Sequence, residues 1–240
     1  KEFGPMAGNL HTDLHECLGH GSGQLLPGVT PEKLKNYHSP IEEARADLFA
    51  LYYLADPKMI ELGLIPSLDV AWAEYDGYIR NGMMTQLTRI ELGKNIEQAH
   101  MRNRALIAHW CFEKGASENI IEKKTRDNKI FYVINDYQKL RNLFAELLKE
   151  IQRITSEGDF AAAKKLVETY AVKIDPTLHK EVLDRYAALK LAPYGGFMNP
   201  LFVPVEKDGK IIDIKVEYPE NYVEQMMKYS KEFSFLPNYN

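Results

Sequence analysis

The chain has 240 residues, 45% apolar and 27% charged, with 30 basic against 34 acidic side chains for a formal net charge of -4. This is the composition of a folded globular protein rather than a disordered one, and without a basic block it gives nucleic-acid binding no electrostatic support. Two cysteines, Cys17 and Cys111, are too few for a disulfide framework, and no apolar run approaches the roughly 18 residues of a membrane span.

In chain order, Lys1-Glu2-Phe3-Gly4-Pro5 has neither the character of a signal peptide nor an initiator Met. A piece of a longer protein from a reducing, cytoplasmic compartment is expected. Residues 5–20 read as a helix entered through Pro5, broken by Gly21-Ser22-Gly23 and Pro27-Gly28. The run to Ser39 reads as loop, with one helical turn at Pro31–Leu34. A second helix is expected from a Ser39 N-cap, Pro40 at the first position and Glu42 closing a capping box, running to Asp56-Pro57. Helical patterns follow at about 66–92, 95–114 and 116–124, interrupted by the β-like run Ile130–Ile134, and resume at about 136–156, 159–172 and 177–190. Leu201–Val205 and Ile211–Val216, joined through Asp208-Gly209, read as a β-hairpin over about 201–216, and a last helix is expected near 219–232. The expected fold is mainly α with one small hairpin, a single lobe over 1–240.

The first helix carries His15-Glu16-Cys17-Leu18-Gly19-His20, and the second opens with Glu42-Glu43-Ala44-Arg45-Ala46-Asp47. Together they hold what a catalytic zinc needs: two imidazole ligands, a carboxylate ligand and a free carboxylate for proton transfer. The common zinc-peptidase spacing puts its histidines at i and i+4. Here the interval is i+5, which rotates the second imidazole by roughly 140° from the first on a regular helix. The backbone must therefore bulge locally, and Gly19 is where such distortion costs least. Glu42 and Glu43 are the nearest candidates for the third ligand. Adjacent helical residues diverge, so one can bind metal while the other orients a histidine, and Asp47, one turn after Glu43, can serve the second histidine. His11 and His15, at true i,i+4 spacing, form a rival metal face that leaves Glu16 and His20 without roles.

The two segments together closely resemble the paired signature of dipeptidyl peptidase III, a family of zinc exopeptidases. The likeness extends through Gln98-Ala99-His100-Met101 and the run Leu191–Pro200, and so covers most of the chain; it looks like the zinc-binding catalytic lobe of a bacterial member. The resemblance implies His15, His20 and Glu43 as ligands to one zinc per chain, Glu16 as general base, and Glu42 and Asp47 as partners of the ligand histidines. It also implies that His100 holds the substrate carbonyl or oxyanion. Many members have Glu where Asp47 stands, and the shorter arm is expected to need a closer backbone or a water to reach its histidine. The implied activity is release of dipeptides from the N-termini of short peptides. Groups that capture the substrate ammonium belong to another, N-terminal lobe, a partner that this sequence does not contain. The alternatives are a non-catalytic zinc module for partner docking, or a zinc endopeptidase of another substrate class.

Among the remaining residues, Cys17 is expected to be a small buried side chain, and Arg45 to bridge acidic groups near the site. His38, His109 and His179 are expected to be structural or exposed. Tyr194–Pro200 has the look of a shaped loop lining a cleft.

Overall fold

The computed structural model describes residues 2–191 and 198–235. It divides into two compact units, Lys1–Leu189 and Lys190–Asn240. Most of the Leu191–Pro200 run, including the start of the expected cleft loop, lies outside the described residues.

The first unit opens with α1 (Gly4–Leu14), which passes directly into a π-helical turn, His15–His20. A 3-10 segment, Pro31–Tyr37, then feeds α2 (His38–Leu54). Next come α3 (Pro57–Glu61), α4 (Asp69–Met83), a 3-10 turn over Thr85–Arg89, and α5 (Ala99–Lys114). Strands β1 (Ile121–Arg126) and β2 (Lys129–Ile134) form an antiparallel hairpin. Helices α6 (Tyr137–Glu157), α7 (Phe160–Tyr170) and α8 (Pro176–Ala188) complete the unit.

The core is built around α2, which is buried on nearly every side: Ile41, Ala44, Leu48, Leu51 and Leu54 have no exposed surface. The longest helix, α6, shows how the sequence fixes such packing. Leu140, Leu143, Phe144, Leu147, Ile151 and Ile154 recur at helical spacing and are all buried. Asp136 accepts from the Lys139 amide at its start, and Gly158 ends it in the left-handed region at φ +66°. Each buried apolar side chain contributes about 1.5–3 kcal/mol. An exposed pair such as Arg153–Glu157 contributes at most about 1 kcal/mol, so the apolar stripe holds α6 in place.

The second unit holds a hairpin of β3 (Leu201–Lys207) and β4 (Lys210–Glu217), followed by α9 (Tyr222–Phe233). Asp208 and Gly209 turn it at positive φ, as the sequence predicts. Buried Gln225 on α9 exchanges two hydrogen bonds with the Asn199 backbone, at 3.0 and 2.7 Å, and so ties the segment before β3 to the helix. The mainly-α expectation with a small C-terminal hairpin is borne out. Among the described residues no helix is long and apolar enough to cross a membrane.

Two local readings are corrected. The helix expected over 116–124 is only a short 3-10 turn, Ala116–Glu118, followed by β1. Glu122, Lys123 and Lys124 are good helix formers, but pairing with Ile130–Ile134 overrides that preference. The overlooked signal was Asp127-Asn128, whose φ values of 49° and 55° make the two-residue hairpin turn that Asp and Asn tolerate best. Likewise Ser39 does not cap α2. The helix begins at His38, directly after the 3-10 segment, and the His38 N–H bonds to the Lys35 carbonyl of that segment. Glu42 and Glu43 consequently lie in the second turn, and Glu42 is free to bind side chains instead of closing a capping box.

Candidate metal centre

The i+5 interval is resolved by the π-helical turn His15–His20, whose i→i+5 bonding places residues five apart one above the other. The two rings meet edge to face, with centroids 4.7 Å apart. Gly19 is required for a different reason from the one its sequence position implied. Its φ is not in the left-handed region, but a Cβ there would stand 2.7 Å from Ala46 Cα and 2.9 Å from the Ala46 carbonyl. The π-turn and α2 thus approach backbone to backbone. Gly19→Ala should force them apart, costing about 1–3 kcal/mol of stability and weakening metal binding together. Thermal melting of the metal-free protein and zinc titration would register both; unchanged values in both would refute the close-packing account.

Each histidine is oriented by a carboxylate from α2. His15 Nδ1 donates to Asp47 Oδ1 at 2.6 Å, and His20 Nδ1 donates to Glu42 Oε1 at 2.9 Å. The short Asp47 arm reaches its histidine directly, without a water, because Gly19 admits α2 so closely. With both Nδ1 atoms engaged, the Nε2 lone pair of each ring is the one left for a ligand. Both turn toward Glu43: its Oε2 lies 3.4 Å from His15 Nε2 and 3.8 Å from His20 Nε2. His100 Nδ1 stands 3.2 Å from the same oxygen. That oxygen is buried and accepts no hydrogen bond.

A buried carboxylate oxygen facing two imidazole lone pairs is unfavourable unless a proton or a metal cation lies between them. Ligands about 2.0–2.1 Å from a tetrahedral zinc stand about 3.3–3.4 Å apart, close to the spacing here. His15, His20 and Glu43 therefore fit a zinc-type donor set. His11, His15 and Asp47 also cluster closely enough to be considered. However, the 2.6 Å between His15 Nδ1 and Asp47 Oδ1 is a hydrogen bond, too short for two ligands of one ion. Asp47 also has all its acceptor capacity filled. His11 Nε2 stands 3.1 Å from Oδ1, while Tyr78 Oη and Asn103 Nδ2 donate to Oδ2 at 2.7 and 2.9 Å.

The electrostatics follow from these contacts. Burial would push the Asp47 carboxyl up, but hydrogen bonds from His11 and His15 outweigh it and hold the group well below the usual carboxylate range. The Asp47 hydrogen bond in turn raises His15 above the ordinary imidazole range, against desolvation, making its ring a more basic donor. Burial disfavours the His11 imidazolium, yet Asp47 and Glu74 raise it to about 9. For Glu42 the penalty of burial is outweighed by Arg45 and His20, which lower it. Arg45 is itself buried and grips both Glu42 oxygens, at 2.6 and 3.0 Å, while donating to the carbonyl and hydroxyl of Ser22. It ties one acid to the loop after the π-turn and does not bridge two acids.

Glu16 is exposed on the π-turn between the histidines. Cys17 is exposed as well, contrary to the expected small buried residue, because the turn buries only His15 and Gly19. His100, in the first turn of α5, has its side chain 48% exposed, open to solvent as well as near Glu43. His109 and His179 are structural, bonded to the carbonyls of Tyr170 and of Leu87 and Ile90.

The model of peptidase family M49 matches residues 28–188, a span that includes Glu42, Glu43, Asp47 and His100 and begins after the histidine pair. Over 228 residues the chain is 25% identical to dipeptidyl peptidase 3 of Mus musculus, covering 76% of this chain and 31% of the relative. It is 30% identical over 176 residues to Nudix hydrolase 3 of Arabidopsis thaliana, covering 69% of this chain and 20% of the relative. Among solved structures it is similar to DPP III from Caldithrix abyssi, with a TM-score of 0.55, 26% identity, and coverage of 76% of this chain and 34% of that one. The chain thus spans about a third or less of the length of these relatives.

Proposed function

The chain belongs to peptidase family M49, and on that premise we propose that it forms the metal-bearing part of a zinc-dependent dipeptidyl peptidase. The observation that carries this reading is Glu43 Oε2, buried without a hydrogen-bond donor and set against two imidazole Nε2 atoms. His15, His20 and Glu43 would hold one zinc. A zinc ion there supplies a Lewis acid that acidifies water and polarises a carbonyl. Glu16, on the exposed side of the turn, takes a proton from the attacking water and delivers it to the departing amine. His100 donates to the oxygen on which negative charge develops. Glu42 and Asp47 fix the imidazole tautomers throughout.

Short peptides are the proposed substrates and dipeptides from their N-termini the products. Capturing the substrate ammonium two residues from the zinc is assigned to another, N-terminal lobe of the same enzyme. The 31% share of dipeptidyl peptidase 3 that the chain spans leaves ample room for one. The 240-residue chain is accordingly expected to bind one zinc yet to hydrolyse dipeptidyl substrates poorly. Metal analysis together with a dipeptidyl-substrate assay tests this. Activity equal to that of the two-lobed enzyme, at matched zinc content, would remove the need for a second lobe; failure to take up zinc would remove the metal reading itself.

A further inference from the structure

Asp47 is the most heavily held carboxylate in the first unit. It lies on α2 with 4% of its surface exposed, and four donors from four other elements surround it. Oδ1 faces His15 and His11, from the π-turn and α1. Oδ2 accepts from Tyr78 on α4 and from Asn103 on α5. An ionised carboxylate has about four lone-pair sites, so these donors saturate it and leave its plane no freedom to rotate.

The two donors to Oδ2 are costly to place. Asn103 has no exposed surface, and its own Oδ1 is buried without a partner, so the residue gives up one hydrogen bond in order to make the other. A leucine of similar size would avoid that penalty. Tyr78 is also buried, and its hydroxyl has Asp47 as its acceptor. The helices that carry them cross closely at Gly82, one turn after Tyr78, where a Cβ would stand 2.7 Å from Ala108 Cβ and would also collide with the Arg104 carbonyl. That approach brings α4 and α5 to the same carboxylate.

We propose that Tyr78 and Asn103 are positioning residues for the metal centre: by fixing Oδ2 of Asp47 they aim Oδ1 at His15 Nδ1, and so turn His15 Nε2 toward Glu43. Asn103 stands three residues after His100, so α5, the helix that presents the exposed histidine, is itself anchored to the ligand set. The placement of a metal ligand and of a substrate-facing group is thereby set by one buried contact.

This inference rests on the metal reading of His15, His20 and Glu43, and its test separates the two. Zinc affinity would be measured by chelator competition for Tyr78→Phe, Asn103→Leu, the double variant and His15→Ala. Cobalt absorption spectra and melting of the metal-free proteins would be recorded in parallel. Each single variant should lose about tenfold in zinc affinity, the lower end of what removing a partner of a ligand histidine costs. The double variant should lose more and shift the cobalt spectrum. A merely structural role would lower the melting temperature while leaving affinity within twofold and the spectrum unchanged, which would overturn the proposal. If His15→Ala kept full affinity, the metal reading and this inference would both fall. If His15→Ala abolished binding while the Tyr78 and Asn103 variants did not weaken it, only this inference would. Should Asn103→Leu fail to fold, Tyr78→Phe, which removes a single oxygen, decides alone.

Discussion

Replacing Glu43 by Ala should lower zinc affinity on the order of a thousandfold. Apparent binding free energies of about 10–16 kcal/mol, shared among three protein ligands, leave roughly 3–5 kcal/mol for each. The same substitution should leave the metal-free fold intact or firmer. In the protein without zinc, Glu43 Oε2 is a buried acceptor with no donor, and such a group costs about 1–3 kcal/mol. A buried oxygen that has no hydrogen-bond donor yet faces the Nε2 atoms of two imidazoles is placed to hold a ligand. Isothermal titration and thermal melting give the two signs independently. The rival site at His11, His15 and Asp47 makes the opposite forecast, with Glu43→Ala binding zinc normally and His11→Ala losing it. That outcome would move the metal centre one turn back along α1.

Much of this centre was legible because its chemistry is local. The i+5 interval of His15 and His20 could not be served by a regular helix, and the π-helical turn is the backbone's answer. The divergence of Glu42 and Glu43 on one helix foretold that one would orient a histidine, and Glu42 does so at 2.9 Å. What lay beyond reach depends on tertiary approach. Nothing near Gly19 announces that Ala46 will lie against it, and that contact, rather than backbone freedom, is why glycine stands there. Tyr78 and Asn103 lie 31 and 56 positions from Asp47 and carry no periodic mark that distinguishes them from other buried residues of α4 and α5. The hairpin over 121–134 was obscured for a related reason, since lysine and glutamate on an exposed strand read as helix until the partner strand is known. Cys17 departs from expectation in the other direction: the π-turn buries only His15 and Gly19 and leaves Glu16, Cys17 and Leu18 on its exposed side.

Glu16→Gln, made in a protein that carries both lobes, should reduce kcat by about 10²–10⁴-fold, the usual contribution of a positioned general base. Zinc content and KM should change little, because the substitution touches neither the donor set nor the buried hydrogen bonds that orient it. The choice of Gln matters. It preserves the size and hydrogen-bonding reach of the side chain and removes only the ability to accept a proton. Loss of activity with zinc retained therefore reports proton transfer and not collapse of the site. Glu16→Asp should recover part of the lost rate, since it restores a carboxylate but withdraws it by one methylene. The position of Glu16 makes the experiment clean: it is exposed on the turn between His15 and His20, while the carboxylates that hold those two histidines both come from α2. The centre thus divides its acids by element, with structural carboxylates on the buried helix and one free carboxylate on the distorted turn. Unchanged turnover by the Gln variant, with zinc bound, would show that this free carboxylate is surface decoration and that the centre serves binding rather than hydrolysis.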